Sequence, residues 1–223
     1  MYVLYMNTPP KYPSSSHWPW SLTVHKDDRY HQNPEDFVGV EVVITEKLDG
    51  GNTCLSKGEV YARSTGQPAI QGWFAMVKKY HAWKTVNLSP ATYVYGEDIA
   101  ALHSIKYSVS MADTYFVFAI REGDIFLSYD DMVAKAASLD LPTTPLLFRG
   151  TFSKVSDITA WFSDNIKQPS AFGSDREGFV MRFAGASTAD EFPNKIAKYV
   201  RAGHVQTNEH WTRNWQWNEL DPV

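Results

Sequence analysis

Apolar and polar positions change period several times along the chain, and each change marks an element. Residues 38–48 (VGVEVVITEKL) are β-branched and alternate at their start, which predicts a strand. Residues 52–64 read as two short strands joined at Lys57-Gly58. In residues 69–83 the apolar positions Ile70, Phe74, Val77 and Tyr80, with Trp73 close by, recur at helical spacing. Residues 92–100 and 114–120 are strand-like, and 124–128 follows a Glu-Gly turn and pairs with the second of them. Residues 129–141 form a helix ended by Pro142, and 153–166 form another, with a serine at its start as a cap. Residues 177–183 are a strand; 192–204 admit either period, with strand favoured from Ile196 to Val200. Before these elements, residues 1–36 are an extended lead-in, rich in turn-forming residues after position 7; after them, 206–223 are a Trp-rich tail. Strands and helices mix without a βαβ rhythm, so the pattern predicts an α+β fold with largely antiparallel sheets in a single domain over 1–223.

Composition narrows the class. With 43% hydrophobic and 21% charged residues, disorder, coiled coil and collagen are excluded. A net charge of -4 gives no whole-chain attraction for nucleic acid, although a local basic groove is compatible with it. The single cysteine, Cys54, cannot form an intrachain disulfide and suits a small buried position in a reducing compartment. Seven histidines show no HxxxH or Cys/His spacing, so no structural zinc is expected. No apolar run reaches the roughly 18 residues of a membrane span, and the N-terminus lacks the form of a signal peptide. The expected location is cytoplasmic.

Against this background Lys47 stands out. It lies between the apolar run Val40 to Ile44 and the tight sequence Asp49-Gly50-Gly51. Locally two readings are open: a solvated strand end followed by an Asp-Gly hairpin turn, or a rigid strand presenting a nucleophile. A lysine amine attacks only when neutral, and its ordinary pKa is about 10.4, so a nucleophilic lysine has to be desolvated or set near other cations. Gly50 and Gly51 let backbone approach closely beside it.

Further pieces follow in order: YARSTG at 61–66, VYGED at 94–98, YFVFAI at 115–120, EGFVMR at 177–182 and KIAKYVR at 195–201. With Lys47-Leu48-Asp49-Gly50, this series resembles the covalent nucleotidyltransferase superfamily of DNA ligases, RNA ligases and capping enzymes, over about residues 38–205. Asn52, five places after the lysine, resembles the RNA ligase branch, since DNA ligases usually carry arginine there. The resemblance implies the ligase adenylation domain, with two largely antiparallel sheets flanked by helices and the nucleotide between them. It implies ATP and Mg²⁺ (or Mn²⁺) as cofactors and RNA 5′-phosphate and 3′-hydroxyl ends as partners.

By the same resemblance Lys47 is the nucleophile and Glu46 helps to read the adenine. Asn52 and Arg63 contact the ribose and the phosphate of the incoming end, Glu97 binds the ribose or a metal-bound water, and Phe118 stacks on the base. Glu177 is the acidic residue on the metal side, and Lys198 touches the α-phosphate, helped by Lys195. The catalytic set is thus Lys47, Glu97, Glu177 and Lys198, with Glu97 and Glu177 toward the metal. Two departures stand out: Lys195 and Lys198 are separated by two residues where the family commonly has one, and Ala119 follows Phe118 where the family often has aspartate. For Phe118, core packing competes with stacking, and Trp211, Trp215 and Trp217 either stack on nucleic acid or pack back onto the domain. The implied function is an ATP-dependent RNA ligase working through lysyl-AMP in RNA repair. The alternatives are a DNA nick ligase, a GMP-transferring capping enzyme, or a non-catalytic nucleotide- or RNA-binding module of ligase fold. No OB-fold domain is expected after the last motif, which leaves room for a protein partner to supply one.

Overall fold

The computed structural model describes residues 8–22, 29–63, 68–173, 175–203 and 214–222. In chain order the elements are β1 (Ser16–His17), β2 (Val42–Lys47), β3 (Gly51–Ser56), β4 (Glu59–Ala62), α1 (Ala75–Tyr80), β5 (Thr92–Asp98), β6 (Ser108–Ser110) and β7 (Tyr115–Glu122). They continue with β8 (Ile125–Phe126), α2 (Tyr129–Ser138), β9 (Leu146–Gly150), α3 (Val155–Asn165), β10 (Gly178–Phe183), β11 (Ser187–Thr188), β12 (Ile196–Val200) and β13 (Glu219–Asp221). Two sheets carry the fold, in the orders β1-β12-β10-β2-β9 and β11-β8-β7-β5-β3-β4. Every pairing in them is antiparallel except β1 with β12.

Period-two alternation sorts the strand residues between layers. On the outer side of the first sheet, Val42, Ile44, Phe179, Met181, Ala197 and Tyr199 bury against Ile158 and Phe162 of α3. On the outer side of the second, Leu55, Val94, Val117 and Ile120 bury against Val77 of α1 and Met132 and Ala136 of α2. Between the sheets, Ile196 and Val180 of the first meet Tyr95, Cys54, Ala119 and Phe126 of the second. Cys54 is buried and free, as its composition suggested.

The hairpin β3-β4 turns at Lys57 and Gly58 with φ of 50° and 82°, the left-handed pair that a tight two-residue hairpin demands. The helix predicted over 69–83 is broken. A 3-10 turn at Gly72–Phe74 precedes α1, His81 leaves helical geometry, and a second 3-10 turn spans Ala82–Thr85. Val77, His81, Ala82 and Thr85 all bury, and the Thr85 hydroxyl accepts the Gly58 N–H at 3.0 Å. Docking on the hairpin turn thus overrides the helical period. Ile70, counted in the predicted stripe, is 84% exposed. Ser128 caps α2 by accepting from Asp131 N at 3.1 Å, and the helix stops at Ser138, before Pro142, with Asp140 left-handed at φ 52°. The serine cap expected for α3 is absent: Lys154 is its N-cap, without a side-chain bond.

The lead-in is more than a lead-in. β1 pairs with β12, and Trp18 is fully buried against Phe37 and Phe162. β9, unmarked in the sequence because it follows Pro142 and Pro145, completes the first sheet beside β2. In the tail, Trp215 meets Trp73 and Trp217 edge-on at 6.2 and 4.6 Å, and β13 pairs with β6, so these two tryptophans pack back onto the domain. Trp211 lies outside the described residues.

Candidate active site

Asp49-Gly50 does not turn a hairpin. β2 belongs to the first sheet and β3 to the second, so Leu48 to Gly50 carry the chain from one sheet to the other. Lys47, the last residue of β2, therefore stands where the sheets diverge, opposite Gly178 in the register with β10. Both neighbouring close approaches need glycine. A Cβ on Gly50 falls 2.4 Å from the Asp98 carbonyl oxygen, and one on Gly178 falls 1.9 Å from that of Tyr199. Gly51 makes only ordinary contacts from 3.8 Å, so the tight packing rests on Gly50.

The acidic neighbours of Lys47 act as clamps. Asp49 Oδ2 accepts from Ser104 N, Ser104 Oγ and Ile105 N at 2.8, 2.7 and 2.9 Å. These bonds and nearby Lys47 outweigh burial and hold the Asp49 carboxyl below its usual range. Glu46 Oε2 accepts from Ala171 N at 3.1 Å and lies 3.7 Å from Arg176 Nε. Each clamp fixes a loop beside Lys47.

Lys47 Nζ donates to both carboxylate oxygens of Glu177, at 2.7 Å each. Burial opposes the ammonium, but Glu177, Glu97 and Asp49 overcome it and raise the Lys47 pKa. Burial pushes Glu177 up to about 7 despite Lys47, and pushes Glu97 up to about 8, helped by Glu177 and Asp49. The sequence argument called for a desolvated lysine or cationic neighbours. The structure supplies desolvation together with a ring of carboxylates, which hold a proton at the pair. Glu97 Oε1 also accepts from Gly50 N at 3.1 Å, binding the β5 carboxylate to the crossover.

These groups line a cavity of about 650 Å³ between the sheets. Asn52, paired with Glu97 in the β3-β5 register, Arg63, Phe118 and Lys198 line it as well, as does Glu46. A sequence model described as "RNA ligase" matches residues 40–200. The chain belongs to the RNA ligase family.

Solved ligase structures share the fold. An archaeal ATP-dependent RNA ligase aligns with TM-score 0.53 and 16% identity over 87% of this chain and 48% of its own. A putative ATP-dependent DNA ligase from Aquifex aeolicus gives 0.55 and 18% over 87% and 50%. A Naegleria gruberi RNA ligase mutant with ATP and Mn gives 0.56 and 14% over 85% and 60%. At these identities the likeness is one of fold, and the chain spans about half to three-fifths of the length of these ligases. No curated protein matches the sequence. The fold is the mixed α+β nucleotidyltransferase domain of the RNA ligase family.

Within that family framework the two lysines of the last motif separate. Lys198, on the cavity face of β12 with Ile196, lies close enough to Glu177 to favour its ionised form. Lys195 does not line the cavity; it lies just before β12 and pairs with Glu191 at 3.2 Å. Arg63 Nη2 donates to Ser14 Oγ at 2.7 Å, so the lead-in crosses the cavity mouth. Among the lining residues that the sequence reading did not assign to the site are Tyr12, Trp73, His103 and Arg182. Arg182 closes the quoted run EGFVMR, and that was its one signal. The others come from loops and the lead-in, where no pattern marks a lining residue.

Proposed function

We propose that the protein is an ATP-dependent RNA ligase that stores AMP on Lys47. The observation that carries this reading is the Lys47 ammonium held at 2.7 Å by both oxygens of Glu177, inside the intersheet cavity of an RNA ligase family domain. The pair can pass one proton: with the proton on Glu177, Nζ is a neutral nucleophile. Nζ attacks the α-phosphorus of ATP, the bond to the β-phosphate oxygen breaks, and pyrophosphate leaves with the electron pair. An RNA 5′-phosphate oxygen then attacks the same phosphorus, the N–P bond breaks and Lys47 regains a proton. A 3′-hydroxyl finally attacks the activated 5′-phosphorus, AMP leaves and the phosphodiester forms.

In this reading Lys198 faces the α-phosphate, Asn52 and Arg63 hold the ribose and the incoming phosphate, Phe118 stacks on the base and Glu46 lies at its edge. Lys195 is the outlying member of the set and keeps its place beside Glu191. Among the described residues no group of three or more His, Cys, Asp or Glu is arranged for a metal. Glu97 and Glu177 nevertheless fit Mg²⁺ or Mn²⁺, because both carboxylates line the same cavity and Mg²⁺ commonly takes one or two carboxylates plus phosphate oxygens. Such a cation, when bound, neutralises charge on the triphosphate.

RNA ends are the proposed partners, sealing of broken RNA the proposed role and the cytoplasm the proposed location. Among the described residues no helix is long and apolar enough to cross a membrane. The test is incubation with α-labelled ATP and, separately, α-labelled GTP, with Mg²⁺ or Mn²⁺, followed by a denaturing gel. Covalent label from ATP that is absent in Lys47→Ala is expected. Label from GTP points to capping. No label from either, on folded and unadenylated protein, overturns the reading in favour of a binding module.

A further inference from the structure

Phe118 is the extra residue of a β-bulge. Val117 pairs with Gly96 and Ala119 with Tyr95, so no residue of β5 stands opposite Phe118. Bulged residues leave the regular alternation, and bulges recur beside active sites because they re-aim a side chain. The Phe118 carbonyl accepts from Arg182 Nη1 at 3.2 Å. Arg182 belongs to β10 in the opposite sheet, so this bond spans the gap between the sheets. Its Nη2 donates to the Leu127 carbonyl at 3.1 Å, one residue before the α2 cap. The guanidinium also sits over the Tyr129 ring at 5.8 Å.

Arg182 is only 5% exposed, and among the described residues it makes no ion pair. Burying a guanidinium against carbonyls alone is expensive, and an apolar residue of similar volume fills such space at lower cost. The planar fork, however, can hold two carbonyls at a fixed angle, which a lysine cannot do. One of the two carbonyls is that of the ring that faces the cavity.

We propose that Arg182 is a positioning residue for nucleotide capture: it pins the bulged Phe118 carbonyl and so holds the Phe118 ring against the base. Tyr12 meets the ring at 4.9 Å and 65°, supporting it from the lead-in. The proposal rests on the reading that this cavity takes ATP.

Two measurements test it. The first is the ATP dependence of covalent labelling in Arg182→Met, Arg182→Lys, Phe118→Leu and the Arg182→Met/Phe118→Leu double variant. Each single variant is expected to raise KM for ATP about tenfold, the worth of one good hydrogen bond or stacking contact, with kcat within about twofold. The double variant is expected to be no worse than its poorer parent, because Arg182 acts through the ring. Multiplying effects, or an Arg182→Lys variant that behaves as the parent, overturn the proposal. The second is the ¹⁹F resonance of 4-fluorophenylalanine placed at position 118, which is expected to shift and broaden in Arg182→Lys and Arg182→Met. If the parent protein takes no label from any nucleotide, the ligase reading falls, but the fluorine signal still decides the positioning claim. An unchanged resonance overturns it.

Discussion

In the proposed reaction Lys47 is the residue on which the chemistry turns, and its setting fixes a pH dependence. Glu177 and Glu97 raise its pKa, and Glu177 itself titrates near 7, so the pair holds its proton in neutral solution. Labelling of Lys47 is expected to accelerate as pH rises above neutrality, as proton loss from the pair yields a neutral amine. In Glu177→Gln the carboxylate that raises Lys47 is gone, so the rate profile should shift to lower pH. Its maximum should fall at least about a hundredfold, because the proton acceptor is lost. A profile left in place by Glu177→Gln would separate the two groups functionally. Glu97 makes a second claim at this scale. Its folded value of about 8 lies above its ordinary 4.5, so the fold prefers it protonated. That preference stabilises the protein fully below pH 4.5 and is lost as pH rises through about 8. Glu97→Gln is therefore expected to melt about 2–4 °C higher than the parent at about pH 9, with the difference vanishing near pH 4. Differential scanning calorimetry at the two pH values checks it.

At the scale of elements, the crossover from β2 to β3 makes the site. It carries the chain from Lys47, at the end of the first sheet, into the second, and Gly50 lets it run tight against the end of β5. The register of β10 against β12 sets a sharp steric limit, because a Cβ at Gly178 meets the Tyr199 carbonyl oxygen at 1.9 Å. Backbone cannot step aside without displacing β10, which also sets Gly178 opposite Lys47 in its ladder with β2. Gly178→Ala is expected to cost about 3 kcal/mol in urea denaturation. Gly185→Ala serves as the control, since nothing lies within 4 Å of its Cβ, and it should change stability little.

At the scale of the whole molecule, the lead-in is part of the first sheet and of the cavity rim. Trp18 is fully buried between Phe37, Phe162 and Trp20, although more than twenty residues separate it from β2. Trp18→Ala should cost about 3–5 kcal/mol, a large share of the 5–15 kcal/mol typical of a domain. Equilibrium unfolding followed by far-UV circular dichroism measures it. A lead-in that merely decorates the domain would show a loss below about 1 kcal/mol. The cavity depends on both sheets: Lys47, Glu177 and Lys198 come from the first, and Glu97, Asn52 and Phe118 from the second.

Much of this was legible along the chain because the signals are local. Strand-like runs marked β2, β3, β5, β7 and β10, and strand was favoured at β12, since a strand writes its preference into five to eight neighbouring residues. The ordered motifs named Lys47, Asn52, Glu97, Phe118, Glu177 and Lys198, and all six line one cavity. What the sequence could not decide depends on partners distant in the chain. Spacing alone left the Asp49-Gly50 turn as a possible hairpin, because only the pairing of β2 with β10 and of β3 with β5 puts its two strands in different sheets. The helical stripe at 69–83 broke because docking on the Gly58 turn outweighed a weak local preference. The proton state of Lys47 was equally out of reach. It is set by carboxylates 50 and 130 residues away, and burial strengthens their hold because little water is left to screen them.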